Sequence, residues 1–245
     1  MRRVIVGFSG GVTSAWCGGW ALRNFPHEEV IFLFHDTKEE DEDTYRFLHE
    51  MAARLNHPIT ERSDGRSVTE LAHDHNALPN NMMAFCSHEL KIEPGNRFME
   101  ELKQSGANEI IKVFGFSANE SERVQRMTAM GWKMGFTPRF PLIEENVTKQ
   151  DCADWCSCTM GVVVPRMYSW SDHANCVGCV RGGKAYWLAV KDNVPEVFAQ
   201  RKAMEAEFGA TFNRRYSLIQ IEKEGLFHKV GRREAIEVGP CECGS

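Results

Sequence analysis

The first half of the 245-residue chain alternates short apolar runs with segments of helical spacing, and this alternation restricts the fold more than any other feature. Because neighbouring parallel strands need a crossover helix between them, the pattern predicts an α/β fold with a doubly wound, parallel, five-stranded sheet covered by helices on both faces. The candidate strands are residues 3–8, 30–35, 58–62, 109–116 and 136–143. The candidate helices are residues 14–24, 41–56, 67–75, 92–105, 121–131 and 149–156.

The pattern changes after Cys158 to a loop-rich stretch, which is followed by two candidate helices that end by Gly209. A chain of this length is sufficient for one large core plus a small appended lobe. We therefore predict an α/β domain over residues 1–159 and a cysteine-containing helical region with a tail over residues 160–245. The acidic run from Glu39 to Asp43 is interpreted as the first turn of a helix, where the macrodipole favours carboxylates.

Composition limits the cellular compartment and the classes of binding partner that we expect for this protein. The N-terminal apolar run is short and ends in glycines, so it is typical of a strand and not of a secretion signal, and we expect a cytoplasmic protein. In that reducing compartment, nine cysteines indicate metal binding or thiol chemistry more often than disulfides. No segment has the apolar length of a membrane span, so no membrane partner is expected. The net charge of -5 neither supports nor excludes nucleic acid.

A glycine turn follows the first candidate strand. The strand ends at Phe8, and the residues Ser9-Gly10-Gly11-Val12-Thr13-Ser14 lead directly into a helical pattern. Glycines allow the backbone to approach an anion closely, and the helix start presents N–H groups with partial positive charge. The turn therefore predicts a phosphate site. The alternative is an ordinary tight connection in which a hydroxyl side chain caps the helix.

This glycine turn, residues 9–14, resembles the Ser-Gly-Gly-x-Asp-Ser loop of PP-loop ATP pyrophosphatases and phosphoadenosine-phosphosulfate reductases. Three further segments are similar to motifs of that family in the same order, and together the four matches cover roughly residues 4 to 185. The segments are Phe34-His35-Asp36-Thr37 with Glu39 or Glu40 and Thr44-Tyr45, Cys86 to Pro94, and Gly115-Phe116-Ser117 with Glu120-Ser121 and Arg123. The chain looks most like the ATP pyrophosphatases of DNA phosphorothioation systems. It departs from the pattern at Thr13, where the family has aspartate, and at Lys38, where it has glycine.

The resemblance implies an adenine nucleotide alpha-hydrolase-like sheet that binds ATP and Mg²⁺. It implies an enzyme that converts ATP to AMP and diphosphate and adenylates an acceptor for sulfur incorporation. A cysteine desulfurase would supply the sulfur, DNA or tRNA would be the acceptor, reached directly or through other subunits, and a homodimer is compatible with the sequence. The implied catalytic residues are Ser9, Thr13, Asp36, Lys91, Arg123 and Cys243. The implied nucleotide contacts are Phe8, Ser9, Gly10, Gly11, Val12, Thr13, Ser14, Phe34, Asp36, Gly115 and Phe116.

The residues themselves leave several of these roles open. Asp36 is predicted at the carboxyl end of a strand, where it could hold magnesium, or it could cap the following helix. Lys91, Arg123 and Lys149 are predicted near helix starts or strand ends and suit diphosphate. A solvated surface position is the alternative for each of the three, and we favour it for Lys149.

The cysteine spacing predicts a metal site. Cys176 and Cys179 form a C-x-x-C turn that can direct two thiolates at one metal or iron–sulfur cluster. The resemblance adds Cys86, whereas Ser87 stands where the family has a second cysteine. Cys158 or a thiol of the C-terminal tail would complete the set. We expect a [4Fe-4S] cluster, with Zn²⁺ as the alternative.

Other functions remain open from sequence. The tail segment Glu242-Cys243-Gly244 resembles the reactive segment of phosphoadenosine-phosphosulfate reductases, and a disordered end is the alternative for it. A reductase of adenylylated sulfate is therefore the first alternative function. The second is a tRNA thiolation enzyme or a noncatalytic nucleotide-sensing subunit. The remaining arginines and lysines that could contact nucleic acid are interpreted as solvated charge: Arg201, Lys202, Arg214, Arg215, Arg232 and Arg233.

Overall fold

A computed structural model describes residues 1–225 and 236–237 of the chain. Its strands are β1 (Arg2–Gly7), β2 (Glu29–Asp36), β3 (Ile59–Ser63), β4 (Glu109–Val113) and β5 (Thr137–Arg139). They form a five-stranded sheet in the order β3-β2-β1-β4-β5, and each neighbouring pair is parallel. This arrangement confirms the predicted α/β fold with a doubly wound parallel sheet.

Helices connect the strands and continue after the sheet. In the part of the chain that the structure describes, the α-helices are α1 (Val12–Asn24), α2 (Glu42–Arg54), α3 (Val68–His75), α4 (Phe85–Ser87), α5 (Glu93–Gln104), α6 (Ser121–Met134), α7 (Pro141–Glu144), α8 (Lys149–Asp154), α9 (Lys184–Asn193), α10 (Pro195–Phe208) and α11 (Leu218–Glu224). Two π-helical segments, His88–Ile92 and Trp155–Thr159, lie before α5 and after α8.

Both faces of the sheet are buried because side chains alternate along each strand. In β1, Val4 and Val6 belong to the main core with α1 and α2, whereas Ile5 faces the opposite way into a core with Phe98 and Leu102 of α5. A strand that is apolar on both sides is typical of a parallel sheet covered on both faces. The run Val4-Ile5-Val6 therefore fixes β1 at the centre of the molecule.

The order of the strands reverses next to β1. The chain runs outward from β1 to β2 and β3, then returns to place β4 on the other side of β1. In open α/β sheets, ligands bind outside the carboxyl ends of the strands at such a switch point. The fold therefore puts the residues after Gly7 of β1 and Val113 of β4 at the position where a ligand is expected.

The last predicted strand is mostly wrong. Residues 136–143 were expected to be extended, but β5 covers only Thr137–Arg139, and α7 begins at Pro141. The fixed φ of proline and its missing N–H suit the first turn of a helix, so Pro141 starts α7 and ends the sheet. The predicted strand over 109–116 also stops early, at Val113.

Helices α9, α10 and α11 surround a second core that includes Trp187, Phe198 and Phe212. In contrast, Val162 and Tyr168, which precede these helices, belong to the main core with the sheet. The predicted boundary between residues 159 and 160 stays a prediction.

The acidic run has two structural roles, and the interpretation as a helix first turn covers only one of them. Asp41 is the N-cap of α2, and Glu42 and Asp43 lie in its first turn. Glu39 instead accepts a hydrogen bond from Nη2 of Arg201 at 2.6 Å, and Arg201 is 1% exposed. The expectation that Arg201 is solvated is therefore wrong, because it neutralises a carboxylate at the end of β2.

Candidate nucleotide-binding site

The glycine turn has a backbone shape that other residues would disturb. Gly10 has φ +79°, and a Cβ atom at this residue would lie 2.5 Å from Cγ2 of Thr44. Gly11 is the N-cap of α1 and offers no side chain to cap the helix. A tight connection capped by a hydroxyl was the alternative to a phosphate site, and Gly11 does not form such a cap.

Some polar groups of the turn already have partners within the protein. Oγ of Ser14 donates to the carbonyl oxygen of Gly11 at 2.8 Å and accepts from N of Ser9 at 3.2 Å. N of Val12 donates to the hydroxyl of buried Tyr168 at 3.2 Å. These hydrogen bonds stabilise the conformation of the turn, so the role of the Ser14 hydroxyl in this structure is to support the turn.

The turn has further hydrogen-bond donors, the backbone N–H groups at the start of α1. The first N–H groups of an α-helix have no acceptor within the helix. Within residues 1–225 and 236–237, the backbone N–H groups of Gly11, Thr13 and Ser14 donate to no acceptor. Donors without an acceptor at the positive end of a helix dipole are suited to bind an anion.

A cavity of about 200 Å³ opens directly on the turn. It lies between the carboxyl ends of β1 and β4, as expected for the switch point. Its lining includes these predicted residues: Ser9, Gly11, Thr13, Ser14, Gly115, Phe116, Arg123 and Lys149. Ligand pockets usually hold about 300–1,000 Å³, so a whole nucleotide would extend from this cavity into its open mouth.

The sequence did not lead us to predict part of the cavity lining. Tyr168, His173 and Ala174 line the cavity from the loop-rich stretch before the C-x-x-C turn. Tyr168 also contacts the turn directly, because a Cβ atom at Gly11 would lie 3.1 Å from its hydroxyl. An aromatic residue among the polar residues of that stretch was the available signal, but sequence spacing does not reveal which strand end a distant loop covers.

Two cations lie in the cavity wall. The guanidinium of Arg123 stacks on the ring of Phe116, with Cζ 4.2 Å from the ring centroid, and forms an ion pair with Glu120. Nζ of Lys149 lies 5.3 Å from the ring centroid of Tyr168. The favoured expectation that Lys149 is an ordinary solvated residue is therefore wrong: its side chain packs on an aromatic wall beside the glycine turn.

Asp36 ends β2 and does not line the cavity. Its Oδ1 accepts from the hydroxyl of Tyr45 at 2.5 Å and from N of Lys38 at 2.8 Å. Its Oδ2 accepts no hydrogen bond from the described residues. A carboxylate that is oriented by two donors and has one unoccupied oxygen fits a hard cation such as Mg²⁺.

Lys91 is engaged elsewhere in this structure. Its Nζ lies 3.3 Å from Oε1 of Glu40, whose side chain is only 2% exposed. The same carboxylate accepts from Oγ1 of Thr37 at 3.1 Å and from Sγ of Cys176 at 3.5 Å. Lys91 therefore lies with the cysteines, and it is not part of the cavity lining.

The structure brings only some of the predicted metal-binding cysteines close to one another. Burial raises the pKa of the Cys176 thiol to about 12, although the cation of Lys91 lowers it. Burial also raises the pKa of Cys86 to about 11, and the nearby thiol of Cys179 adds to this increase. In the part of the chain that the structure describes, no group of three or more histidine, cysteine, aspartate or glutamate side chains is placed to hold a metal ion.

Cys158, predicted as a fourth metal ligand, is disulfide-bonded in this structure. A disulfide sulfur is not a thiolate, so this residue does not complete a metal site here. Cys243, predicted as catalytic, lies outside the described residues, as do Arg232 and Arg233. The described thiols therefore do not fit a bound cluster or zinc ion as they stand, and both metals stay predictions.

Three predicted nucleotide contacts have side chains in the main core. Phe8 stacks on Phe32 with ring centroids 4.4 Å apart, and Phe34 and Val12 are also buried. Because these side chains face away from solvent, a nucleotide could contact these residues only through the backbone. Their side chains instead fix the ends of β1 and β2.

Comparisons with known proteins add no family assignment: neither the family models nor the curated proteins include a match to this chain. Among the helices of the described residues, none combines the length and the apolar character that a membrane crossing requires.

Proposed function

We propose that the chain is an ATP pyrophosphatase that holds the phosphates of ATP at the glycine turn and breaks the bond between the α and β phosphates. The observation that carries the proposal is the set of N–H donors of Gly11, Thr13 and Ser14, which have no acceptor among the described residues and open on a cavity at the switch point of the sheet. Anion binding at a helix start needs this arrangement.

The cavity lining carries two cations, Arg123 and Lys149, and one carboxylate, Glu120, which is paired with Arg123. Arg123 and Lys149 line the same cavity as the glycine turn and can neutralise charge on diphosphate as it leaves. Mg²⁺ would enter with ATP and offset charge on the phosphate oxygens, and Asp36, whose Oδ2 accepts no hydrogen bond from the described residues, is the carboxylate that we propose to hold it. The arginine fork can contact two phosphate oxygens at once, whereas the lysine acts as a point charge.

The reaction would proceed by in-line displacement. An acceptor oxygen attacks the α phosphorus, the bond from that phosphorus to the bridging oxygen breaks, and diphosphate leaves with the electron pair. The acceptor now carries AMP, which is a far better leaving group than oxide. A persulfide sulfur from a cysteine desulfurase can then attack the acceptor atom and release AMP, which leaves the acceptor joined to the desulfurase cysteine through a disulfide. A second thiol opens this disulfide by exchange, so the sulfur stays on the acceptor and the two thiols become the oxidised pair. DNA is the acceptor that the resemblance favours, and tRNA is the alternative.

Product analysis tests this proposal. The protein is incubated with Mg²⁺ and ATP labelled in the α phosphate, and the labelled products are separated. We expect labelled AMP with an equal amount of diphosphate; labelled ADP would contradict cleavage between the α and β phosphates. Sulfite release from adenylylated sulfate with a thiol donor would instead support the reductase.

Thr13 favours a second candidate, a nucleotide-sensing subunit, because the family has aspartate at this position. ATP binding without any product would support that candidate. The Thr13→Asp variant separates the two, since restoring the carboxylate should raise turnover in a weak enzyme. The Thr13→Asp substitution should have no effect on turnover if the protein lacks the other catalytic residues.

A further inference from the structure

An exposed surface of the protein combines apolar side chains from one turn with cationic side chains from a second segment. Met82 and Met83 are 66% and 69% exposed. Adjacent to them, a cavity of about 440 Å³ is lined by Asn81, Met82, Asn213, Arg214, Arg215 and Tyr216. We call this the Met–Arg surface. It joins the segment between α3 and α4 to the segment between α10 and α11.

Hydrogen bonds hold the methionines in place. Oδ1 of Asn80 accepts from N of Met82 and from N of Met83, both at 2.9 Å, and N of Asn80 donates to the carbonyl of Met83 at 3.1 Å. N of Asn81 donates to the carbonyl of Phe212 at 3.0 Å, and Phe212 is fully buried. The two thioethers are therefore presented to solvent by an ordered turn that is anchored to the second core.

Within the part of the chain that the structure describes, the cations of this surface have no acidic partner. Arg214 and Arg215 are exposed, and neither forms an ion pair with any residue of 1–225 or 236–237. Some other arginines of the molecule are paired, for example Arg66 with Asp64 and Asp74. Two unpaired arginines next to an apolar pair leave positive charge available to a partner.

This composition matches the centre of a protein interface. Methionine, arginine and tyrosine are enriched at such interfaces relative to the rest of the surface, whereas lysine is depleted. Methionine also adapts its shape to different apolar partners. Nucleic-acid surfaces rely on many cations along the backbone, and the Met–Arg surface instead places its cations beside exposed thioethers.

We propose that the Met–Arg surface binds an acidic segment of a partner protein, with an apolar side chain of that segment against Met82 and Met83 and its carboxylates on Arg214 and Arg215. This interaction is independent of nucleotide binding at the glycine turn. The arginines would set the orientation, because they can bind carboxylates in a bidentate manner.

Peptide selection tests the proposal with the full-length protein. A random peptide library displayed on phage is selected on the wild-type protein. We expect the recovered peptides to carry aspartate or glutamate on both sides of leucine, methionine or phenylalanine. In fluorescence anisotropy, such a peptide should bind R214E/R215E at least about tenfold more weakly than the wild type, which corresponds to ~1.4 kcal/mol.

Matched control variants distinguish peptide binding at the Met–Arg surface from nonspecific binding to exposed apolar side chains. M82S/M83S should also lose binding, whereas W132S should retain it, because Trp132 is 87% exposed on α6 and does not line this cavity. All three variants change exposed side chains, and unchanged circular dichroism will confirm their folding. Equal peptide binding by the wild type and R214E/R215E would overturn the proposal. Tighter binding of a labelled single-stranded oligonucleotide, or a dimer lost in M82S/M83S, would overturn it as well.

Discussion

Gly115, which follows β4 in the chain, lies directly against Thr13 of the glycine turn: a Cβ atom at Gly115 would stand 3.0 Å from Oγ1 and 3.1 Å from the carbonyl carbon of Thr13. Real Cβ atoms rarely approach backbone so closely, so Gly115 lets β4 support the turn. The two segments that form the cavity are therefore also in mutual contact.

This contact predicts the effect of Gly115→Ala. The added methyl group should displace Thr13 and misalign its N–H, so ATP should bind about 3- to 10-fold more weakly, as for the loss of one hydrogen bond. Isothermal titration with MgATP measures the change. Gly183→Ala is the control, because nothing lies within 4 Å of a Cβ atom there. Equal affinity of both variants would contradict the role of Gly115.

Ser14→Ala tests the internal bonds of the turn. The change removes the donor to Gly11 and the acceptor for N of Ser9, so the turn should loosen and ATP affinity should fall about tenfold. Ser157→Ala is a matched control, since Oγ of Ser157 donates to the carbonyl of Ala153 at 2.7 Å in a helix outside the cavity. If the two variants bind ATP alike, the Ser14 hydroxyl does not shape the site.

Lys38 predicts a stabilising substitution. It has φ 59°, and the other non-glycine residues with positive φ in the described part are asparagines: Asn56, Asn76 and Asn146. Asparagine tolerates this left-handed conformation better than lysine does. Lys38→Asn should raise the free energy of unfolding by about 0.5 kcal/mol, and Lys38→Val should lower it by ~1 kcal/mol or more. Thermal unfolding measures both, and the opposite order of the two variants would refute the account.

The buried pair of Glu39 and Arg201 predicts a nonadditive effect. Arg201→Met leaves the carboxylate of Glu39 without its cation and should destabilise the fold by about 3 kcal/mol. Glu39→Gln added to it removes the uncompensated charge, so the double variant should be more stable than Arg201→Met alone. Urea unfolding of the four proteins gives the coupling energy. Simple additivity would mean that the pair does not interact in solution.

Lys112 predicts a pH dependence. Burial lowers the pKa of this lysine from 10.5 to about 8 in the folded protein. The unfolded chain holds the proton more tightly, so Lys112 destabilises the fold below pH 8, and this penalty fades as pH rises towards 10.5. Lys112→Met should therefore be more stable than the wild type at neutral pH, by up to about 3 kcal/mol, since one pKa unit corresponds to about 1.4 kcal/mol. The difference should shrink between pH 8 and 10 in urea unfolding; a constant difference would contradict the lowered pKa.

The sheet and the glycine turn could be predicted from sequence because their signals are local. The run Val4-Ile5-Val6 is apolar on both faces of a strand, and Gly10 and Gly11 follow it at once. The end of the sheet could not be predicted as well, because β5 is the short polar segment Thr137-Pro138-Arg139, whereas most of the apolar residues after it belong to α7, which begins at Pro141.

The rest of the candidate site depends on long-range contacts that spacing does not encode. Tyr168 reaches N of Val12 from 156 positions away, and Arg201 reaches Glu39 from 162 positions away. Lys91 was predicted to hold diphosphate from its position near a helix start, but its neighbour Glu40 is brought to it by the loop after β2. The partner of a charged side chain can therefore be identified only from the tertiary structure.

The most direct test of the central claim is a crystal structure with Mg²⁺ and α,β-methylene-ATP, which cannot be cleaved between its α and β phosphates. We predict phosphate oxygens within hydrogen-bond distance of N of Gly11, Thr13 and Ser14, with Arg123 and Lys149 turned towards them. A fully occupied nucleotide bound elsewhere, with those N–H groups facing only protein or water, would contradict the account.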